Sequence, residues 1–226
     1  MRRVLSLFDS TVGKKAVMAV SGLILFGFVF AHMAGNLKAF EGQESFDAYA
    51  QFLRDLGYPA LPEYGVLWIA RIVLLLAVAV HIIAAIQLWS RSRKARGSRY
   101  RKSDSQVFSY ASRTMRWGGV IVALFVVYHL LHLTTGTVHP DFEYGSVYAN
   151  LVVAFQSVPV VLFYVVAVGA LSLHLYHGLW SVFSTLGVQN PKIDRIRRPL
   201  AGGVAFVLFA GYVAVPLGVL SGIISL

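Results

Sequence analysis

Residues Val160–Leu186 read VVLFYVVAVGALSLHLYHGLWSVFSTL. The run contains no Asp, Glu, Lys or Arg, and at about 1.5 Å per residue it is long enough to cross a bilayer. Inside it stand His174 and His177, one helical turn apart. An imidazole in hydrocarbon is costly unless something binds it, so an intramembrane His marks a candidate functional site. Three other apolar runs carry His as well: His32, then His81, then His129 with His132. Histidines on four separate spans point to cofactors held between them.

The composition agrees with a chain built to live in lipid. Apolar residues make up 57% of the 226 and charged residues 13%, where soluble proteins carry roughly a quarter charged; mean hydropathy is +0.67. The expected fold class is an all-α membrane protein, one integral membrane domain over residues 1–226. Its five transmembrane helices are expected at about 16–37, 64–90, 117–135, 160–186 and 201–224. Pro216 predicts a kink in the fifth. There is no Cys, which excludes disulfides, thiolate metal sites and self-ligated iron–sulfur clusters.

Between the spans the chain alternates in charge. Met1–Lys15 is short and basic and reads as an interfacial segment; the apolar run after it is too long for a signal peptide. Lys38–Glu63 is an acidic loop, with Ser45–Leu56 expected as a short helix ended by Gly57 and Pro59. Arg91–Arg116 is the most basic segment, Gly136–Val158 is a loop with Asp141 and Glu143, and Asn190–Pro199 is a basic turn. All of the 20 basic residues except Lys38, Arg54 and Arg71 fall on one side of a five-span chain. All of the ten acids except Asp9, Asp104 and Asp194 fall on the other. The positive-inside rule then puts the N-terminus in the cytoplasm and the C-terminus outside. That rule also accounts for the net charge of +10, so nucleic acid is not an expected partner, whereas the lipid bilayer is.

Depth decides which histidines can share a metal. Counted from the basic end of each span, His32 lies roughly 25 Å up, His129 roughly 20 Å and His132 roughly 24 Å. On the same scale His81 lies about 15 Å up, His174 about 18 Å and His177 about 14 Å. Two levels emerge, an outer one on spans one and three and an inner one on spans two and four. Spans two apart in an up-down bundle face each other diagonally across the core. A bare transition ion wants three or four ligands, while two trans imidazoles suit a b-type haem. The first four spans are thus expected to form a haem-binding bundle. Ser21–Gly22 and Gly118–Gly119, about three turns below His32 and His129, give room for an inner macrocycle, although small residues also serve plain helix packing. The depth count slightly prefers His132 and His177 as second partners, and His129 and His174 stay open beside them.

Arg71, early in span two, reads equally as a snorkelling anchor or as a partner of outer-haem propionates. His139, in the outer loop, reads as solvated. No acid lies within the spans. A proton taken up at the outer membrane edge needs a group that can protonate there, and an acid is the expected carrier. Asp55, at the end of the short loop helix, and Glu63, at the mouth of span two, are the candidates, although each taken alone reads more readily as a solvated loop acid. Two other classes compete with a redox role: a haem-free anchor whose His pair with each other, and a transporter with a His proton relay. A relay would normally recruit an acid mid-membrane.

Four pieces in order, Ser10-Thr-Val-Gly-Lys-Lys15, His32-Met-Ala-Gly-Asn-Leu37, Phe125-Val-Val-Tyr-His129 and His174-Leu-Tyr-His-Gly-Leu-Trp180, join His81 and the loop lengths. Together they resemble the single-polypeptide, five-span dihaem cytochrome b subunit of succinate dehydrogenases and fumarate reductases. The resemblance spans nearly the whole chain. It implies a subunit of the cell inner membrane that anchors a flavoprotein subunit and an iron–sulfur subunit and leaves room for a higher oligomer of the complex. It implies two haems b, electron exchange with a quinone, commonly menaquinone, and dicarboxylate chemistry on another subunit. It implies axial ligation by His32 with His129 and by His81 with His174. His132 and His177 are then left to hydrogen-bond propionates or quinone, and acids near Asp55 and Glu63 gain weight over Glu41, Glu44 and Asp47.

Overall fold

Ser10 opens the first helix: its side-chain oxygen accepts the Gly13 N–H at 2.9 Å and satisfies one of the free donors of the first turn. Helix α1 therefore runs Thr11–Leu37, and Lys14 and Lys15 belong to it rather than to an interfacial segment. Lys14 donates from its ammonium across to Gln87 Oε1 on the neighbouring long helix at 2.6 Å, its apolar stem lying along the surface as a lysine near a membrane edge does. The computed structural model describes residues 9–95, 107–185, 187 and 190–226, and side chains within these except those of 107–114 and 194. Residues 1–8 and much of the basic segment 91–116 fall outside the described residues.

After α1 a 3-10 turn, Lys38–Glu41, leads into α2, Gln43–Asp55. Gly42 makes the corner at φ +91, a backbone region that favours glycine. Helix α3 is Gly65–Lys94, α4 is Val107–Leu133, α5 is Val147–Phe155, α6 is Val158–Thr185 and α7 is Pro191–Leu220. Among the described residues there is no strand. Five helices, α1, α3, α4, α6 and α7, are long and apolar enough to cross a membrane. The protein is a multi-pass all-α membrane protein.

Several boundaries differ from the sequence reading: α3 runs on to Lys94, α4 begins at Val107 rather than 117, and both ends of α7 move for local reasons. Asn190–Pro199 is not a turn but the first turns of α7. The Asn190 side chain accepts the Lys192 N–H at 2.9 Å and Pro191 takes the first helical position. At the other end α7 stops at Leu220 instead of running on to Ile224. Gly222 adopts φ +75 and the chain folds back. The Ile224 N–H then bonds the Gly218 carbonyl at 3.0 Å and its side chain is fully buried.

Helix α1 packs against α3, α6 and α7, and α6 packs against α4 and α7. The contact of α1 with α7 is close. A Cβ on Gly211 would overlap the Met33 sulfur, and Tyr212 donates its hydroxyl proton to the Val29 carbonyl at 2.7 Å. Neither α1 with α4 nor α3 with α6 is a closely packed pair. The densest core lies at the end of the bundle opposite Lys14. There Phe46 of α2, Tyr148, Leu151, Val152 and Phe155 of α5, and Val215 and Val219 of α7 close over Val161 and Tyr164 of α6. This cap, rather than the bundle interior, is where apolar surface is most fully removed from water and lipid.

Helix α5 forms within Gly136–Val158, which the sequence alone presents as loop. Its apolar face is buried in the cap, and Asp47 Oδ1 accepts the Tyr148 N–H at 3.1 Å, so a carboxylate on α2 meets the positive end of α5. Asn150 ties the preceding loop down, accepting the Glu143 N–H at 2.9 Å and donating to the Glu143 carbonyl at 2.7 Å.

Candidate functional site

Helices that do not pack closely leave space between them, and the structure puts histidines into that space. His32 on α1 faces His129 on α4, with ring centroids 5.9 Å apart and planes at 77°. His81 on α3 faces His174 on α6 at 6.2 Å and 66°. Each pair bridges two helices that are not close neighbours, α1 with α4 and α3 with α6. Two imidazoles that held one metal from opposite helices, each at about 2 Å, would stand with ring centres about 6 Å apart. The observed spacings match that requirement.

The pairs lie on separate levels. Gly22 of α1 sits against His81, where an added Cβ would stand 3.2 Å from Cε1. Gly119 of α4 sits against His174, where an added Cβ would stand 3.6 Å from Cε1. On both helices the glycine precedes the histidine of the other pair by ten residues, about 15 Å of helix rise. Both glycines thus serve the pair nearer Lys14, the one the sequence reading assigned to the inner level.

Hydrogen bonds orient some of these rings. His81 Nδ1 lies 3.1 Å from the Met18 carbonyl, which only an Nδ1–H can satisfy, so the Nε2 lone pair is left to bind. Ser21 Oγ stands 3.3 Å from the same nitrogen while donating back to the Val17 carbonyl at 2.8 Å. His174 Nδ1 is buried and is set toward the Met115 backbone carbonyl in loose geometry. His32 stacks on Phe28, with centroids 5.3 Å apart and planes at 11°, and has Tyr212 of α7 6.2 Å away. Among the described residues no group of three or more His, Cys, Asp or Glu converges as a metal-ion site. The donor set is two imidazoles at each level, which fits a metal whose other positions come from a macrocycle.

The remaining histidines go elsewhere. His132 is buried, 2.9 Å from the Tyr164 hydroxyl and 5.2 Å ring to ring from His139. His177 accepts from Trp180 Nε1 at 3.4 Å, and the Arg197 and Arg198 guanidinium groups lie over that indole. His139 is not solvated. It is 7% exposed; its Nδ1 accepts the Asp141 N–H at 3.2 Å and its Nε2–H donates to the Asn150 carbonyl at 2.9 Å. Arg71 is exposed and lies over the Trp68 ring, 4.9 Å from its centroid. Asp55 and Glu63 are exposed at the capped end, Asp55 accepting from Gln51 Nε2 at 3.0 Å. The sequence reading missed Tyr164, whose hydroxyl also stands 3.4 Å from His129 Nδ1.

Residues 90–214 match the family described as succinate dehydrogenase/fumarate reductase transmembrane subunit. The chain belongs to this family. The match takes in α4, α6 and most of α7, with His129, His132, His174 and His177, while His32 and His81 lie before it. No curated protein and no solved structure matches the chain significantly. This transmembrane subunit is thus a membrane component of the succinate dehydrogenase/fumarate reductase type, and cytochrome b subunits of that type generally bind haem and quinone.

Proposed function

We propose that this subunit holds two b-type haems, one between His32 and His129 and one between His81 and His174, and passes electrons between an iron–sulfur subunit and a membrane quinone. The observation that carries this reading is the pair of imidazole spacings, 5.9 and 6.2 Å, each across helices that are not closely packed. When bound, haem supplies reversible one-electron storage at each level. The chain's own contribution is to aim the nitrogens, to keep a glycine beside each ring of the inner pair, and to surround both with apolar helices that exclude water.

We assign it flavoprotein and iron–sulfur partners, with dicarboxylate chemistry on another subunit; membership of the family supports this reading. We place the protein in the cell inner membrane, N-terminus in the cytoplasm and C-terminus outside, because the basic residues cluster at the Lys14 end. Arg195, Arg197 and Arg198 in the first turns of α7 are then part of the face that docks the iron–sulfur subunit. Quinone, menaquinone by resemblance, exchanges electrons with the haem at the capped end, where Asp55 and Glu63 are the proton carriers. Arg71 at the same end anchors α3 through Trp68 and stands ready for propionate pairing.

Four single replacements test the pairing. In reduced-minus-oxidised spectra of the assembled complex, His32→Ala and His129→Ala should remove one b-type component, and His81→Ala and His174→Ala the other. Loss of the same component from His32→Ala and His81→Ala would refute the diagonal arrangement. A haem-free anchor or a proton-relay transporter would show no dithionite-reducible bands at all.

A further inference from the structure

Helix α6 places one phenol between two imidazoles of α4. The Tyr164 hydroxyl lies 2.9 Å from His132 Nδ1 and 3.4 Å from His129 Nδ1. Its ring is 5% exposed and is walled by Phe125, Tyr128, Phe155 and Phe163. A phenol has one proton to donate and lone pairs with which to accept. If His129 binds iron through Nε2, its proton sits on Nδ1, and that N–H donates to Tyr164 Oη. The phenol's own proton then goes to His132 Nδ1. The chain His129 to Tyr164 to His132 therefore has one direction.

The far end of this chain is fixed by the cap. His132 is 1% exposed and stacks obliquely on His139, which the Asp141 N–H and the Asn150 carbonyl hold from both sides. None of the other three paired imidazoles has such a partner. His81 Nδ1–H meets the Met18 carbonyl, His174 is set against the Met115 backbone carbonyl, and His32 lies flat against Phe28. The two levels thus differ in what lies behind their ligands, although the ligands themselves are all histidine.

We propose that Tyr164 is a positioning residue that sets the reduction potential of the His32–His129 haem separately from that of the other. A hydrogen bond accepted from the far nitrogen of a ligating imidazole raises its donor strength toward the metal. A donor–acceptor chain strengthens each of its links. Greater electron donation favours oxidised iron, so the Tyr164–His132 chain holds this potential down. The inference rests on the two-haem reading and goes beyond it, because the family assignment says nothing of Tyr164.

The test is a redox titration of the complex carrying Tyr164→Phe, which removes one oxygen and keeps the ring, with haem content measured alongside. The component that disappears in His129→Ala should shift to higher potential, the other should not move, and haem content should stay that of the unaltered complex. Unmoved potentials, or equal shifts in both components, would overturn the inference and leave the two-haem reading intact. Should Tyr164→Phe fail to assemble, His132→Leu decides: it removes the acceptor of the phenol proton and should raise the same component by less, and no shift overturns the inference. Absence of b-type bands from the unaltered protein would overturn both readings together.

Discussion

Gly22 offers a perturbation whose size follows from the structure. A Cβ built there stands 3.2 Å from His81 Cε1, closer than the roughly 3.5–4.0 Å optimum for carbon pairs, and 3.5 Å from Nδ1. Alanine can be met by a ring shift of a few tenths of an ångström. Its better helix propensity, about 1 kcal/mol over glycine, offsets much of the strain, so Gly22→Ala should unfold at nearly the unaltered temperature. Valine adds two methyl groups beyond that Cβ, a full overpacking of about 1–3 kcal/mol. The least costly relief is to move His81 off the Met18 carbonyl and off its axis toward His174. Gly22→Val should therefore lose or strongly shift the inner b-type component while the outer one stays. Gly119→Ala is the matched control, because its Cβ would make an ordinary 3.6 Å contact with His174. Difference spectra with redox titration read each component, and thermal unfolding reads the strain. Two unshifted components in Gly22→Val, or loss of the outer one alone, would show that Gly22 does not border the inner site.

Asp47→Ala removes the carboxylate that accepts the Tyr148 N–H; it should lower the stability of the capped end by about 1–2 kcal/mol, seen as faster amide exchange in α5 with both haems retained. Asp55→Asn and Glu63→Gln should each keep both spectral components, and quinone-linked turnover should fall in at least one; normal turnover in both removes them from the mechanism. Protease added to vesicles from the cytoplasmic side should cut near Arg91–Arg116 and leave the Gly136–Ser146 loop intact, and the reverse pattern inverts the proposed topology.

The long apolar runs made the five spans readable, and the constant rise of a helix made two levels of histidine readable before any coordinates. The choice between His129 and His132 was not readable by depth, because one turn of helix is no larger than the error in a guessed helix end. Orientation about the helix axis settles which ring faces His32, and it depends on the packing of α4 against α6. The ends of α1 and α7 were misjudged where hydropathy outweighed capping, yet Ser10 and the Asn190–Pro191 pair carried the signal. Helix α5 has nine residues, too few to span a bilayer, and it folds because Asp47 and the apolar cap receive it. His139 looked like any loop histidine, and its burial comes from Asn150, eleven residues on. Tyr164 resembled one more core aromatic in an apolar run, since nothing local marks a phenol that will meet two imidazoles on another helix.

Haem extracted per polypeptide from the intact, purified complex tests the central claim most directly. Two bis-histidine sites predict a ratio of about two b-type haems for each copy of this chain. A ratio near one would mean that one of the two histidine pairs holds no haem, and a ratio near zero would contradict the account of the bundle as a haem-binding electron carrier.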